Sequence, residues 1–357
     1  MSSHGVKKFL LVVVGVVGLG LAIRFTINRP KKPKAKPAST PVVVAPPTRD
    51  QPEQPPPTQA PPEPERDEPP APPPPPRIAG SVQISDTSAQ SFAAAPGVVY
   101  YCESGGVWAA PKAGGDPQRV GDCDGAFDFT ADAQGVLYCN DHQLLRITAG
   151  STQGSHVVAD NVDCIMSALD GKYAYFVVPG FEGVENPGVY RVARAGGVPE
   201  KIYATRPKEQ FMLAVDDDAL WIGAWSAGTI SRLAKTPGAK AKTVVTGQKG
   251  IVDLASDGTS LYWYAEGTGE IRRRKKTGGA VEVIGHDIDQ EPIDVVDGHA
   301  YWFEGKAGED KRLMHLAPGA DKAEQLAAGL KTPSMRADSE GVYVTELDRD
   351  GIFMFKR

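Results

Sequence analysis

From residue 78 onward, apolar residues occur in short bursts in which they alternate with polar residues or are β-branched and aromatic. These bursts do not follow the i, i+3, i+4, i+7 spacing of an amphipathic helix. Gly, Asp and Asn separate them, and these residues favour turns. The pattern predicts an all-β domain over residues 78–357.

The bursts form a repeat. The segment DGTSLYWY (residues 257–264) has near-copies in DGKYAYFV (170–177) and DGHAYWFE (297–304). Seven copies of the aromatic strand follow one another at steps of 37 to 46 residues, which is typical of four-stranded propeller blades, so we predict a seven-bladed β-propeller, with six or eight blades as alternatives. Aligned on the aromatic strand, the seven copies are centred on Tyr100, Tyr138, Tyr175, Trp221, Tyr262, Tyr301 and Tyr343.

Each copy follows one order of strands. A strand of small apolar residues ends near an Asp, the aromatic strand follows, and a Gly turn leads to a third strand and a short fourth. The seventh copy stops at residues 351–357, which supply only a third strand. Residues 81–85 (SVQIS) alternate as a strand before the first copy. We therefore predict that this N-terminal strand completes the last blade and leaves no open edge.

Strands of the form D-x-x-x-V-Y-W, followed by G-x-V-x-x-V-x-x-x-G-G, recur through residues 81–357. In this the chain resembles the loose superfamily of TolB-like, YVTN and NHL-type bacterial propellers. The resemblance implies the propeller fold. It transfers no catalytic residue, because members of the superfamily include both binding platforms and enzymes.

An apolar segment, residues 9–27, follows a short tail of residues 1–8 and contains Arg24 near its end. Because such an arginine can extend its side chain to the interface, the segment is long enough for one transmembrane helix. We predict an uncleaved signal anchor. The alternative is a signal peptide cleaved after the small residues Gly20 and Ala22.

Residues 28–77 contain 20 of the 31 prolines and no aromatic residue. Such a segment cannot bury enough surface to fold, so we predict a disordered, extended linker. A short tail, one span and a Lys-Pro and Glu-Pro tract are similar in organisation to TonB-type periplasmic spacers.

The sequence leaves the membrane orientation open. Six Lys or Arg lie at residues 24–36 against Lys7 and Lys8 before the span, and the positive-inside rule would keep the propeller in the cytoplasm. The long spacer and the cysteines favour the opposite orientation. We predict a single-pass membrane protein with its propeller in the periplasm or at the cell surface, and a cytoplasmic propeller is the alternative.

All four cysteines lie in the first two copies. Cys102 and Cys123 are 21 residues apart, and Cys139 and Cys164 are 25 apart, which predicts two repeat-related disulfides in an oxidising compartment. A pairing of Cys123 with Cys139, a four-Cys zinc site and buried free thiols are the alternatives.

The propeller is acidic. Before residue 78 lie 11 Lys or Arg and 6 Asp or Glu, which leaves 28 basic and 38 acidic residues and a formal charge of −10 for residues 78–357. Nucleic-acid affinity comes mainly from basic contacts to phosphate. We therefore expect no nucleic-acid partner.

Two loops carry acids suited to a cation. Asp287, Asp289 and Glu291 lie between two copies and are candidate metal ligands, with Ca²⁺ as the possible cofactor; solvated loop acids are the alternative. Residues 346–351 (ELDRDG) resemble the opening of a calcium loop. Without a distal bidentate Glu, a plain hairpin is the favoured interpretation.

A second group of acids lies on the predicted inner strands. Asp128, Asp253 and Asp294 occupy similar places in their copies, where they would face the central channel and could hold a catalytic metal. The alternative is that each carboxylate accepts a hydrogen bond from a neighbouring blade.

The run RRRKK at residues 272–276 is the one dense basic stretch after residue 78. Arg272, Arg274 and Lys276 share one face of a strand and could bind an anion together with Lys235 or Arg312 of neighbouring blades. The alternative is an outer strand kept soluble and protected from edge-to-edge pairing.

No G-x-S-x-G, P-loop or H-E-x-x-H motif occurs, and the six histidines show no paired spacing. We therefore predict a non-enzymatic, membrane-tethered, monomeric propeller that binds a protein or glycan partner at the cell envelope. A metal-dependent hydrolase, lactonase or lyase acting at the central channel is the alternative, because residues of different blades can meet there.

Overall fold

The computed structural model describes residues 78–357, except residues 88, 90, 141, 181–183, 206–208, 290–292, 332 and 347–348. The predicted membrane span (residues 9–27) and linker (residues 28–77) lie outside the described residues. The described part consists of 28 strands in seven four-stranded antiparallel sheets, the blades of a seven-bladed β-propeller. Within it, no helix is long and apolar enough to cross a membrane.

Each blade runs from an inner strand at the central channel to an outer strand at the rim. The inner strands of blades 1 to 7 are β2 (Phe92–Ala95), β6 (Phe127–Asp132), β10 (Met166–Leu169), β14 (Phe211–Val215), β18 (Ile251–Ser256), β22 (Asp294–Val296) and β26 (Pro333–Asp338). The second strands are β3 (Val98–Glu103), β7 (Gly135–Asn140), β11 (Tyr173–Val178), β15 (Leu220–Ala224), β19 (Ser260–Ala265), β23 (His299–Glu304) and β27 (Gly341–Glu346). The third strands are β4 (Gly106–Pro111), β8 (Gln143–Thr148), β12 (Gly188–Ala193), β16 (Thr229–Leu233), β20 (Glu270–Lys275), β24 (Lys311–Leu316) and β28 (Ile352–Lys356). The outer strands are β5 (Gln118–Asp122), β9 (His156–Asp160), β13 (Glu200–Ala204), β17 (Lys242–Val245), β21 (Glu282–Gly285), β25 (Glu324–Leu330) and, in blade 7, β1 (Val82–Ser85).

The ring closes in blade 7, whose outer strand comes from the start of the domain. Strand β1 pairs antiparallel with β28, with Val82 opposite Met354 and Gln83 opposite Phe353. The predicted closure by residues 81–85 is confirmed. Because the two ends of the domain share one sheet, unfolding of either end opens the ring.

The core lies between the blades. Tyr175 of blade 3, for example, belongs to one buried cluster with Phe211 and Leu213 of blade 4. All seven aromatic residues on which the copies align are buried, with at most 3% of their surface exposed. Small residues such as Ala93 and Ala214 occupy the inner strands, where the blades converge.

The alignment on Tyr138 is wrong by one residue. Tyr138 points toward blade 1, where its hydroxyl donates to the backbone oxygen of Asp122 at 2.7 Å, and it stacks on Phe129 with the ring centroids 5.2 Å apart. Leu137 takes the place that Tyr175 occupies in blade 3, and it packs in a cluster with Phe176. A strand with apolar residues on both faces does not reveal which residue faces which blade.

A repeated ion pair joins neighbouring blades. In five blades an Asp directly precedes the two-residue turn between the inner and second strands: Asp132, Asp170, Asp216, Asp257 and Asp338. Four of these pair with a cation that follows the third strand of the next blade: Arg194, Lys235, Lys276 and Lys112 for Asp132, Asp170, Asp216 and Asp338. In blade 6 the first turn residue, Asp297, pairs instead with Arg357 at 3.0 Å.

Asp216 shows the complete arrangement. One carboxylate oxygen, Oδ1, accepts the backbone N–H of Asp218 and of Ala219 and so closes the turn. The other, Oδ2, accepts the indole N–H of Trp221 and the ammonium of Lys276, both at 2.5 Å, and the ammonium lies 5.6 Å from the Trp221 ring centre. Burial raises the pKa of Asp216, but these hydrogen bonds outweigh burial and lower it to about 2.

Candidate functional site

The strand connections divide the ring into two faces. The loop face carries the connections between second and third strands and from each outer strand to the next blade. The turn face carries the connections between inner and second strands and between third and outer strands. Described segments of the loop face include residues 123–126, 161–165, 225–228, 246–250 and 266–269, and those of the turn face include 170–172, 194–199, 216–219, 257–259 and 317–323.

One group of charged side chains lies around the central channel. Asp128, Asp253 and Asp294 lie on the inner strands of blades 2, 5 and 6, and Arg336 lies on that of blade 7. Burial raises the pKa of all three carboxyls, and the guanidinium of Arg336 acts in the opposite direction on each of them, so all three lie within electrostatic range of this arginine. The three acids were predicted from the sequence, and Arg336 was not, although an arginine inside an inner strand (SMRAD) was a usable signal.

Each channel carboxylate accepts hydrogen bonds from the next blade, the geometry of the structural alternative. The donors are the Ser167 hydroxyl for Asp128 (2.8 Å), the Ile293 N–H for Asp253 (2.7 Å) and the Ala337 N–H for Asp294 (2.7 Å). The three acids are not equivalent in register, because Asp253 lies opposite Tyr264 whereas Asp294 lies opposite the central Tyr301.

Burial is the dominant influence on these carboxyls. It raises the pKa of Asp128 and of Asp294, and it raises that of Asp253 to about 6. Each of the three residues is partly exposed, although the surrounding strands of the ring cover most of its surface. Asp128 also has a left-handed backbone, with φ of 61°, which is uncommon for a residue other than glycine. With a pKa of about 6, the Asp253 carboxyl changes its charge near neutral pH, where an acid or base is most useful.

Among the described residues, no three His, Cys, Asp or Glu side chains lie close enough together to hold a metal ion. The three channel acids are therefore too far apart to form such a group. In the loop before β22, an Asp287 oxygen lies 3.7 Å from the Lys306 ammonium, and an Asp289 oxygen lies 3.6 Å from that of Lys311. Glu291 lies outside the described residues. Calcium binding by this loop remains a prediction.

The basic run on β20 has partners within the protein. Arg272 pairs with Glu270 at 2.6 Å, Arg274 donates to the backbone oxygen of Gly279 at 2.9 Å, and Lys276 pairs with Asp216. Lys235 and Arg312 pair with Asp170 and Glu304. The interpretation as an outer strand is wrong, because β20 is the third strand of its blade and pairs with β19 on one side and with β21 on the other. Anion binding remains a prediction, and the anion would have to displace these partners.

The two disulfides are confirmed with the predicted pairing. Cys102 is bonded to Cys123 and Cys139 to Cys164, with Cα–Cα distances of 6.0 and 5.8 Å. Each bond links a second strand to the connection that follows the outer strand of the same blade, so both lie on the loop face. They fix the loop-face ends of blades 1 and 2.

Two histidines that the sequence analysis treated as scattered form a hydrogen-bonded pair in blade 6. The Nδ1 of His299 lies 2.8 Å from the Nε2 of His315, and the Nδ1 of His315 lies 2.9 Å from a Glu324 oxygen. Burial and the nearby Arg357 lower the pKa of His299. The hairpin spacing contained a signal for this pair. His315 lies opposite Tyr301, and His299 lies two residues before Tyr301 on the same face of the sheet, so the two histidines are diagonal neighbours. This chain of contacts orients an imidazole as a general base requires.

The same positions in other blades carry a permanent ion pair. Arg191 pairs with Glu200 at 2.7 Å in blade 3, and Arg273 pairs with Glu282 at 2.7 Å in blade 5. His315 and Glu324 therefore replace an Arg–Glu cross-strand pair of the repeat. This equivalence favours a structural role for the histidines.

The loop face carries an exposed aromatic side chain at blade 4. Trp225 follows β15 and exposes 38% of its surface. Its indole N–H donates to a Glu266 oxygen of blade 5 at 3.0 Å, and its backbone N–H donates to the Gln210 oxygen at 3.1 Å. Exposed Lys249 lies on the adjacent connection. We call Trp225, Lys249 and Glu266 the Trp225 patch. The bond to Glu266 of blade 5 holds the indole in place at the surface.

Comparison with known proteins supports the fold and leaves the function open. No family model and no curated protein matches the sequence. The chain is similar in structure to virginiamycin B lyase from Staphylococcus aureus, with a TM-score of 0.60 at 13% identity over 77% of this chain and 97% of that one. It is similar to a streptogramin B lyase (TM-score 0.60, 10% identity, 76% and 95% covered) and to YCF48 bound to D1 peptide (TM-score 0.52, 9% identity, 78% and 97% covered). At these identities the similarity shows the β-propeller fold alone.

Proposed function

We propose that this protein is a non-enzymatic binding propeller, tethered to a membrane by residues 9–27 and displayed on the linker in the periplasm or at the cell surface. Its partner is a protein or a glycan that contacts the loop face. The observation that carries the proposal is the Trp225 patch. Tryptophan is enriched among the few residues that carry most of the binding energy of protein interfaces, because it buries a large apolar area when a partner covers it.

The Trp225 patch has the properties of a binding anchor. Its indole offers a flat apolar face, and the bond to Glu266 fixes the ring orientation before a partner arrives. Pre-organisation of this kind reduces the entropy that binding costs. Flat aromatic faces suit both sugar rings and apolar side chains, so the patch supports either class of partner.

Trp225→Ala will weaken binding of an envelope partner by about thirtyfold or more, because truncating a tryptophan anchor typically costs about 2 kcal/mol or more. The full chain in detergent micelles would be immobilised and titrated with fractionated envelope proteins and glycans, with saturation as the criterion. Val198→Ala is the matched control, since Val198 is 89% exposed on the turn face. Equal binding by both variants would argue against the loop face.

The orientation can be tested through the cysteines. We expect all four to resist alkylation in unfolded protein isolated from membranes until a reductant is added, as measured by intact mass. Cys139 and Cys164 are at most 1% exposed, so denaturant is needed to separate burial from oxidation. Free alkylation without reduction would place the propeller in a reducing compartment and would remove the support for an envelope partner.

A second candidate is a hydrolase, lactonase or lyase acting at the central channel. The raised pKa of Asp253, about 6, beside Arg336 favours it, because such a carboxyl can exchange a proton at neutral pH. The similarity to two lyases adds no catalytic residue. Calcium or zinc retained at stoichiometric occupancy through purification would favour this candidate, and saturable binding lost in Trp225→Ala would favour the first.

A further inference from the structure

One member of the repeated Asp series differs from the others. Asp257 closes its turn as Asp216 does, since its Oδ1 accepts the N–H of Thr259 at 2.6 Å and of Ser260 at 2.7 Å. Its Oδ2 accepts the hydroxyl of Tyr262 at 2.9 Å. Among the described residues, however, no Lys or Arg pairs with this carboxylate. Its Oδ2 is thus oriented in the same way as that of Asp216 but has only a neutral donor.

The reason lies in blade 6. In each blade, one residue of the third strand lies opposite the central residue of the second strand. In five blades, the residue three positions further along the chain from this third-strand residue is a cation: Lys112, Arg194, Lys235, Lys276 and Arg357. In blade 6 the partner is His315, so this position is Pro318, which is exposed. Pro318 lies beside Gly298, where an added Cβ would be 3.3 Å from the proline Cγ and 3.9 Å from Asp257 Oδ2. A proline ring is neutral and has no N–H donor, so it cannot pair with the carboxylate.

The boundary between blades 1 and 2 provides the comparison. There the cation position is Ala149, and the position of the Asp is Ala95, so both halves of the ion pair are missing together. Between blades 5 and 6 only the cation is missing. The Asp257 carboxylate remains at the turn face, partly exposed, without the cation that other boundaries supply.

We infer that Asp257, with Tyr262, Gly298 and Pro318 around it, is a binding site for a primary ammonium group, such as the end of a lysine side chain presented by a partner protein. An Asp carboxylate and an aromatic ring hold a lysine ammonium at three other boundaries, where Lys112, Lys235 and Lys276 lie 4.7, 5.7 and 5.6 Å from an aromatic ring centre. This site lies on the turn face, so it is independent of the Trp225 patch. We call it the 5/6 ammonium site.

The first test fills the site from within. Pro318→Lys restores the cation, and Pro318→Ala is its control, because both lose the proline restraint on the unfolded chain. We expect Pro318→Lys to melt about 2 °C above Pro318→Ala at pH 7 in the full-length protein, and the difference to disappear when Asp257→Asn is added. Asn retains an acceptor oxygen for the turn, so folding is preserved. Equal melting temperatures of the two Pro318 variants would overturn the inference.

The second test fills the site from outside, with n-butylammonium chloride as the probe. Tetramethylammonium chloride at the same concentration is the control, because it carries the same charge without N–H donors. We expect n-butylammonium to raise the melting temperature of the parent protein by about 2 °C more than tetramethylammonium does, and to have no such excess in Pro318→Lys or Asp257→Asn. An equal effect of both salts on the parent would overturn the inference.

Discussion

Lys276→Met will lower the free energy of unfolding at pH 7 by about 3 kcal/mol, because it removes one partner of a largely buried ion pair. Lys276 and Asp216 expose only 11% and 9% of their side chains. Removing the ammonium leaves a buried carboxylate with only neutral donors, the Trp221 indole and the Ser256 hydroxyl. Chemical denaturation at fixed pH measures the loss directly.

The pH dependence identifies the cause of that loss. Asp216 has a lowered pKa of about 2 in the folded protein, against an ordinary value of 3.8. Its contribution to stability is therefore present above about pH 4 and is lost as the pH falls toward 2. The penalty of Lys276→Met should shrink across this window. Lys275→Met is the control, since Lys275 is exposed, and we expect a change below 0.5 kcal/mol. Equal losses in the two variants would show that the ion pair contributes no more than an average surface charge.

The fold was predictable because a blade is built from neighbouring hairpins. The register between an inner strand and the aromatic strand depends on a two-residue turn, and Asp-Gly or a similar pair marks that turn in the sequence. The same local character explains the disulfides, since Cys102 and Cys123 belong to one blade. Tyr138 was misplaced because both faces of β7 are buried, and only contacts with other blades distinguish them.

Contacts between blades were not predictable in the same way. The acids and the basic residues of the repeat were visible separately, but the pairing of Asp170 with Lys235 joins residues 65 apart. No local spacing encodes that distance, because it depends on how one twisted sheet stacks on the next. The channel positions of Asp253 and Arg336 could be predicted from their inner strands, whereas the hydrogen bond from the Ile293 N–H to Asp253 could not.

Asp253→Asn will weaken the pH dependence of stability between pH 4 and pH 7 by about 2 kcal/mol. The carboxyl of Asp253 has a raised pKa of about 6 when folded and ionises near 3.8 when unfolded. Between these values the folded state binds more protons, so stability falls as the pH rises, and asparagine cannot contribute to this fall. The amide also turns an NH₂ toward one of the two N–H donors, Leu254 or Ile293, which adds a constant cost at every pH.

The informative quantity is therefore the difference between unfolding free energies at pH 4 and pH 7, since it cancels that constant cost. Asp321→Asn, at an exposed position, is the control and should leave the parent slope unchanged. A reduced slope in Asp253→Asn alone would establish a carboxyl in the channel that exchanges its proton near neutral pH, the property on which the enzymatic candidate depends. An unchanged slope would mean that Asp253 ionises as an ordinary aspartate, and its hydrogen bond to blade 6 would then be sufficient to explain its presence. The loop face would then remain the surface that we propose for partner binding.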